Sequence, residues 1–226
     1  MIRYKINQTF NKNLGFQVGY QEILKAVEAV NEFLLILPPN LYYNIDFKTT
    51  GSMIGAILCN KIVENVEGTV VNPIEKGHPD IIPTAGLGSS EEILRNYPEG
   101  LEIKGTIGNL KTGTNLKAGK CRINDLSGIT WQAHHREVNY LLGIVWDFVN
   151  IHNEFSFPAI TGVFFSDELT PNDWGKISGT TGRNTKVTGM CKSGKDKMGK
   201  GWVLLYDNKE HIDKYARFLK IPSINQ

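Results

Sequence analysis

The chain has 226 residues, a formal net charge of +2, 41% hydrophobic and 21% charged residues, the composition of an ordinary globular protein. No apolar run approaches the roughly 18–20 residues of a membrane span, and the opening MIRYKINQTFNKN lacks the apolar stretch of a secretory signal. The three widely spaced cysteines lack any C-x-x-C spacing. We therefore expect a protein of the reducing cytoplasm that has neither a disulfide framework nor a structural zinc site.

Hydrophobic periodicity predicts an alternation of helices and strands along the chain. Helical spacing or composition indicates helices at 20–37, 53–66, 130–140 and 211–219. Short runs rich in β-branched and aromatic residues predict strands at 68–71, 78–82, 101–107, 141–149, 158–166 and 202–206. Because no segment has a linker composition and no repeat occurs, the sequence predicts a single α/β domain over residues 1–226.

Acidic residues mark the two neighbouring strands predicted at 78–82 and 101–107. Because side chains i and i+2 of a strand share one face, Glu102 and Lys104 project together while Ile103 points into the core. If the two strands pair, Asp80 reaches the same point. Two carboxylates and one ammonium at one point can hold a hard divalent cation and position a water for phosphodiester hydrolysis.

Pro79-Asp80, a gap of 21 residues and then Glu102-x-Lys104 resemble the signature of the PD-(D/E)xK nucleases, the superfamily of many type II restriction endonucleases. The resemblance implies a restriction-endonuclease-like α/β fold, with a central mixed β-sheet flanked by helices and a core at about 53–166. Residues 167–226 would then supply DNA-contacting, dimer or accessory elements.

The same resemblance implies the roles of the site residues. Asp80, Glu102 and the backbone carbonyl of Ile103 would bind Mg²⁺, a cation that prefers oxygen ligands. Lys104 would orient the attacking water and stabilise the developing charge. A helix before the first strand can add a carboxylate in this family, and Glu64 stands about where that helix is predicted, although a solvated helix face explains it equally well.

The implied function is Mg²⁺-dependent, sequence-specific hydrolysis of double-stranded DNA that leaves 5′-phosphate and 3′-hydroxyl ends. Two-fold symmetry of a homodimer would match a palindromic site and deliver one active site to each strand. Two alternatives remain open. One is a structure-selective nuclease of the same fold, such as a junction resolvase or repair enzyme, and the other is a non-catalytic nucleic-acid-binding module.

Two basic stretches predict where DNA would bind, although flexible solvated loops have similar compositions. Residues 103–124 carry five basic and no acidic side chains, and residues 183–200 carry six against one acid, so we expect the second stretch to be a loop that closes on the duplex. His134 and His135, adjacent on a predicted helix, would point about 100° apart and would not chelate one ion well. They could instead form hydrogen bonds at the edge of the active site or to DNA, or lie on the surface without a role. The candidate DNA contacts are Lys111, Lys117, Lys120, Arg122, Gln132, His134, Arg183, Lys186, Lys192, Lys195 and Lys197.

Overall fold

The computed structural model describes residues 2–75, 77–111, 119–152, 155–178 and 186–222. The strands in chain order are β1 (Tyr4–Ile6), β2 (Asn11–Asn13), β3 (Gln17–Gly19), β4 (Thr69–Val71), β5 (Ile81–Pro83), β6 (Glu102–Thr106), β7 (Asn109–Leu110), β8 (Leu126–Gly128), β9 (Gln132–Ala133), β10 (Leu141–His152), β11 (Phe155–Ser166), β12 (Thr188–Gly189) and β13 (Trp202–Tyr206). The helices are α1 (Tyr20–Ile36), α2 (Pro39–Asn44), α3 (Phe47–Asn65), α4 (Glu91–Leu94), α5 (Lys192–Lys200) and α6 (Lys209–Leu219). Among these described helices, none has the length and apolarity to cross a membrane.

A central mixed β-sheet organises the fold. In the described residues it has five strands in the order β1-β13-β11-β10-β6. β6 lies at one edge and pairs with β10 in parallel, whereas the other pairs are antiparallel. The long strands β10 and β11 lie inside the sheet because their side chains are apolar on both faces, as strands covered on both sides require.

Helices cover both faces of this sheet, so the protein is a mixed α/β fold. α1 and α3 pack on one face, where Val27, Leu58 and Ile144 belong to the larger apolar cluster. α5 and α6 pack on the opposite face, where Trp131 and Tyr215 belong to a second cluster. Burying apolar area on both sides of the sheet is the main source of stability for such a layered domain.

Most predicted elements are present, with changes at their ends. α3 begins at Phe47 and not at residue 53 because Asp46 caps it, accepting a hydrogen bond from the Thr49 N–H at 2.6 Å. The strand predicted at 78–82 is shorter, since β5 spans only Ile81–Pro83. The predicted helices at 20–37 and 211–219 correspond to α1 and α6.

Two predictions about local structure were wrong. Residues 130–140 contain the short strand β9 and otherwise irregular backbone, not a helix. Trp131 explains the difference, because its ring is fully buried and its Nε1 donates to the Ile144 carbonyl at 3.1 Å. The stretch predicted as a loop at 183–200 contains the helix α5 at its end.

Candidate active site

A single point of strand pairing brings the two acidic motifs together. Ile81 and Leu101 exchange both backbone hydrogen bonds, at 3.1 and 2.9 Å, and so place the residue before β5 beside the start of β6. Gly100 permits this approach, since it has φ of +134° and a Cβ there would lie 2.2 Å from the Ile81 carbonyl oxygen. The pairing required for Asp80 to reach Glu102 and Lys104 is therefore present.

Asp80, Glu102 and Lys104 converge at the outer edge of β6. The Lys104 Nζ lies 2.5 Å from Glu102 Oε1 and 3.9 Å from Asp80 Oδ2. Asp80 Oδ2 also accepts a hydrogen bond from the Ile103 N–H at 2.7 Å. The Glu102 N–H donates to the Tyr140 carbonyl, on the side of β10. Because the backbone groups of successive strand residues point to opposite sides, the N–H and the carbonyl of Ile103 both point away from β10, towards Asp80.

Burial and mutual charge set the protonation of these groups. Burial, with the Glu102 charge in second place, raises the pKa of Asp80 to about 6. Burial also opposes the charge of Glu102, but the His78 hydrogen bond and Lys104 outweigh it and lower the Glu102 pKa. Burial disfavours the Lys104 ammonium, yet the two carboxylates raise its pKa, so Lys104 remains charged. Of the two carboxyl groups, Asp80 is therefore the one whose free-energy cost of ionisation a bound cation would lower more.

Two histidines that the motif does not include lie against Glu102. His78 Nδ1 is 3.0 and 3.2 Å from the two Glu102 carboxylate oxygens, and this hydrogen bond raises the pKa of His78. The ring of His135 packs at 4.3 Å from that of His78, and burial lowers the pKa of His135. Donor atoms of His78, Glu102 and His135 all lie within 4.8 Å of one another. Imidazole nitrogens favour transition metals, so this side of Glu102 offers a softer ligand set than the Asp80 side.

Sequence reasoning assigned no role to His78, and for His135 it left open a hydrogen bond at the edge of the active site, a hydrogen bond to DNA or a plain surface position. It treated residues 134 and 135 as neighbours on a helix, whereas the backbone there is not helical. His134 lines one depression and His135 another, on the two sides of His78. The position of His78 directly before Pro79-Asp80 was the one available sequence signal.

The site opens into a cleft between α3, β4 and β6. This cleft has a volume of about 1010 Å³, and Asp80 and Lys104 lie on its wall. Its other polar and charged lining residues are Lys48, Ser52, Asn60, Asn72, His78, Thr106, His134 and Lys186. A smaller depression of about 530 Å³, lined by Glu102 and His135, lies on the other side of His78.

Glu64 lies elsewhere and is not one of the described residues that line the cleft. Its carboxylate is 58% exposed and accepts a hydrogen bond from Lys61 Nζ at 2.6 Å on the surface of α3. Asn60, one turn earlier on the same helix, reaches the cleft instead. The structure therefore argues against the prediction of Glu64 as a metal ligand and supports the simpler expectation of a solvated helix face.

Two of the candidate DNA contacts, Arg122 and Lys197, make contacts within the protein instead. Arg122 is 6% exposed, and its guanidinium packs 3.7 Å from the centre of the Phe47 ring. Lys197 Nζ donates to the Glu168 carbonyl at 2.6 Å and to the buried Asp173 carboxylate at 2.7 Å. These contacts use both cationic groups, so we withdraw Arg122 and Lys197 from the proposed DNA surface.

The remaining candidates are distributed over several surfaces. His134 and Lys186 line the cleft, and His134 Nδ1 donates to the Lys186 carbonyl at 3.0 Å. Lys192 and Lys195 belong to α5, which packs on the sheet face opposite α1 and α3, and Lys192 pairs with Asp196. Neither is among the described residues that line the cleft, so we withdraw both from the proposed DNA surface as well. Lys111, Lys120 and Gln132 are exposed. Lys117 and Arg183 lie outside the described residues.

Comparisons with protein-family models, with curated proteins and with solved structures give no match. Function must therefore be inferred from the site itself. A carboxylate pair, with Glu102 buried and Asp80 partly buried, lies with the charged Lys104 beside an open cleft that Lys48 and Lys186 also line. Such a site can bind a divalent cation and an anionic substrate at one place.

Proposed function

We propose that this protein is a Mg²⁺-dependent nuclease of the PD-(D/E)xK type that hydrolyses phosphodiester bonds of double-stranded DNA. The observation that carries the proposal is the convergence of Asp80, Glu102 and Lys104 at the edge strand β6, beside the cleft. A merely solvated surface pair would not explain a Glu102 that is 3% exposed or a raised pKa at Asp80.

The residues present fit a hard divalent cation. The carboxylates of Asp80 and Glu102 and the carbonyl of Ile103 supply oxygen, the ligand that Mg²⁺ prefers. Asp80 resists ionisation because it is buried next to Glu102, and a dication would remove that cost. When bound, such an ion neutralises charge on the scissile phosphate and lowers the pKa of a coordinated water.

The side chains around this position have distinct tasks. Lys104 keeps its proton and can donate to a phosphate oxygen or to the attacking water, which orients the attack and stabilises the added charge. The Ile103 N–H fixes the orientation of the Asp80 carboxylate, and His78 fixes that of Glu102. The expected products carry a 5′-phosphate and a 3′-hydroxyl, as the family resemblance implies.

The cleft suits a polyanion despite the low net charge. Lys48 and Lys186 are among the residues that line it, and Asn60 and His134 add polar side chains. Phosphate contacts of this kind give affinity without sequence preference, and base contacts from amide or guanidinium groups add specificity. Among the earlier candidates, the exposed Gln132 remains suited to reading a base.

We propose further that two chains act together on a palindromic site as a type II restriction endonuclease. One chain carries one site, so cutting both strands at once needs a second copy. Phe33, Ile36 and Tyr43 form exposed apolar surface at the end of α1 and on α2, with Ile36 78% exposed, and such surface suits a dimer contact. Cytoplasmic location is part of this proposal, because free thiols such as those of the three cysteines persist there.

Incubation with long mixed-sequence DNA and Mg²⁺, followed by sequencing of the ends, tests the proposal. We expect discrete fragments with 5′-phosphate ends, loss of cleavage by several orders of magnitude in Asp80→Ala, and unchanged cleavage in the exposed control Asp167→Ala. Ca²⁺ should support binding without cutting, because it tolerates looser geometry and activates water poorly.

Each other outcome has a defined meaning. Cleavage that follows DNA shape and not sequence would replace the restriction enzyme with a structure-selective nuclease. Binding without cleavage in either Mg²⁺ or Mn²⁺ would indicate a non-catalytic nucleic-acid-binding module. Neither binding nor cleavage would overturn the proposal.

A further inference from the structure

A second cluster of ligand-type side chains lies under the first turn of α6. Cys121 precedes a short 3₁₀ turn (Ile123–Asp125), Asp147 lies within β10, and His211 belongs to α6. Their donor atoms all lie within 4.8 Å of one another. Asp147 and His211 are each 3% exposed, and none of the three is among the described residues that line the cleft. The nuclease proposal assigns no role to this cluster.

The hydrogen bonds of His211 determine which of its ring nitrogens is free. Asn208 Oδ1 caps α6 by accepting a hydrogen bond from the backbone N–H of His211 at 3.2 Å. Because only the oxygen of the Asn208 amide can accept, this contact distinguishes it from the amide nitrogen. The same oxygen lies 3.0 Å from His211 Nδ1, so Nδ1 carries the proton that it donates. In the neutral ring, Nε2 is then a bare lone pair.

This lone pair faces Asp147 without a suitable partner. Nε2 is buried, has no hydrogen-bond partner among the described residues, and lies 3.5 Å from Asp147 Oδ2. Asp147 Oδ1 already accepts from the Arg122 and Phe148 N–H groups at 2.9 and 2.7 Å. Oδ2 accepts from the Arg122 N–H at 3.1 Å and from the Cys121 thiol at 3.3 Å. Two lone-pair atoms that face each other in a buried site are unfavourable unless a proton on Nε2 or a metal ion lies between them.

We propose that Cys121, Asp147 and His211 bind a thiophilic divalent metal ion of the Zn²⁺ class. Zinc bonds of about 2.0–2.3 Å at tetrahedral angles place ligand atoms roughly 3.3–3.8 Å apart. The contacts of Asp147 Oδ2 with Cys121 Sγ at 3.3 Å and with His211 Nε2 at 3.5 Å have this spacing. A thiolate and an imidazole select zinc-like ions over Mg²⁺, so this site and the active site would hold different metals.

The second hydrogen bond of His211 is also one that a zinc ligand needs. Metal-binding histidines usually donate their other ring N–H to an oxygen, which fixes the ring and its tautomer, and Asn208 does so here. Cys121 is only partly buried, so an ion can enter there and a water can fill the fourth position. On binding, the Cys121 thiol releases its proton to solvent and becomes the thiolate ligand.

Nucleophilic catalysis by this cluster is a poorer explanation of the same residues. Burial, with the Asp147 charge in second place, raises the pKa of Cys121 to about 12, so the thiol is not an activated nucleophile. A bound dication reverses this effect and favours the thiolate. The ion would join the turn after Cys121 to β10 and α6, which makes its role structural.

X-ray absorption at the zinc edge tests this site on the wild-type protein. Metal-free protein is loaded with one equivalent of Zn²⁺, and we expect one sulfur neighbour at about 2.3 Å together with lighter nitrogen and oxygen neighbours. With Co²⁺ as the probe, we expect the thiolate charge-transfer absorption in the near ultraviolet. Cys121→Ser should abolish both signals, whereas Cys191→Ser, a matched change of another partly buried cysteine, should keep them.

Further arms separate this site from the active site. Asp80→Ala should keep the sulfur neighbour, so failure of the nuclease proposal and failure of this one are distinguishable. Folded wild-type protein that binds no Zn²⁺, or binds it with no sulfur neighbour, would overturn the proposal, and the second result would direct attention to His78, Glu102 and His135. Because the decisive spectrum is that of the wild type, a Cys121→Ser protein that fails to fold leaves the test intact.

Discussion

Replacing Asp80 by asparagine should stabilise the protein at neutral pH while it removes activity. The folded state raises the pKa of Asp80 from 3.8 to about 6, mainly by burial. At 1.36 kcal/mol per unit this shift corresponds to about 3 kcal/mol of lost stability at pH 7.5. The side chain is 31% exposed, so solvent screening reduces our expectation to about 1–3 kcal/mol. Asparagine has no ionisation cost and can still accept the hydrogen bond of the Ile103 N–H.

The pH dependence has a definite sign. The unfolded chain releases the Asp80 proton near pH 4 and the folded chain near pH 6, so the cost is absent below about pH 3.8, grows between these values and is complete above pH 6. Urea unfolding at pH 4 and pH 7.5 measures it. The advantage of Asp80→Asn should correspond to about 2–10 °C in Tm at pH 7.5 and should fall to about one fifth of its full value at pH 4.

A matched control separates this effect from a general loss of surface charge. Asp207 is 43% exposed and lies 3.9 Å from Lys5 in a weak ion pair. We expect Asp207→Asn to change stability by no more than about 0.5 kcal/mol at either pH. Equal stability of Asp80→Asn and the wild type at pH 7.5, or an equal gain at both pH values, would refute our electrostatic account of the site.

Three further predictions concern the ion pair between Lys197 and Asp173, the cleft and the proposed dimer surface. Lys197→Met should lower the unfolding free energy by about 2–4 kcal/mol, because it leaves a buried carboxylate without its partner, whereas Lys195→Met should change it little in the same urea titration. Lys186→Ala should lower DNA affinity and reduce the salt slope by about one unit while Lys192→Ala leaves it unchanged, and equal slopes would remove the cleft as the DNA surface. Sedimentation of the DNA complex should give the mass of the DNA plus twice the 25.3 kDa chain mass. Ile36→Glu should weaken that dimer, and a strictly monomeric wild-type complex would exclude paired action at a palindrome.

The sequence predicted the elements whose form depends on local pattern. The helix α1 has clear helical periodicity and the buried strand β10 is a continuous apolar run, and both were confirmed close to their predicted positions. The region at 130–140 failed because the burial and hydrogen bond of Trp131 override its helical composition. α5 was missed because its sequence KSGKDKMGK is polar and contains two glycines, which weaken a helix prediction.

Long-range contacts explain why α5 forms nonetheless. Gly199 lets this helix approach α6 closely, since a Cβ there would lie 1.8 Å from the Leu219 carbonyl oxygen. Gly194 lets the same helix pack closely against the preceding segment, since a Cβ there would lie 2.7 Å from the Met190 side chain. Helix docking therefore uses the residues that sequence rules regard as helix breakers.

The candidate active site could be predicted to the extent that it depends on strand alternation. Glu102 and Lys104 share a face because they are two residues apart, and one bridge at Ile81 is enough to bring Asp80 beside them. His135 joins the site only through packing of distant segments, which no local pattern contains. The expectation of no structural zinc site used C-x-x-C spacing, a rule that does not test ligands from separate parts of the chain such as Cys121, Asp147 and His211.

The central claim is that Asp80, Glu102 and Lys104 hydrolyse DNA at the edge of β6. The most direct test is the single-turnover cleavage rate of one DNA substrate in Mg²⁺ for the wild type, Glu102→Gln and Glu64→Gln, with DNA affinity measured in Ca²⁺. We expect the rate of Glu102→Gln to fall by several orders of magnitude at unchanged affinity, while Glu64→Gln, altered outside the cleft, cleaves like the wild type. Wild-type cleavage by Glu102→Gln would contradict the assignment of this site.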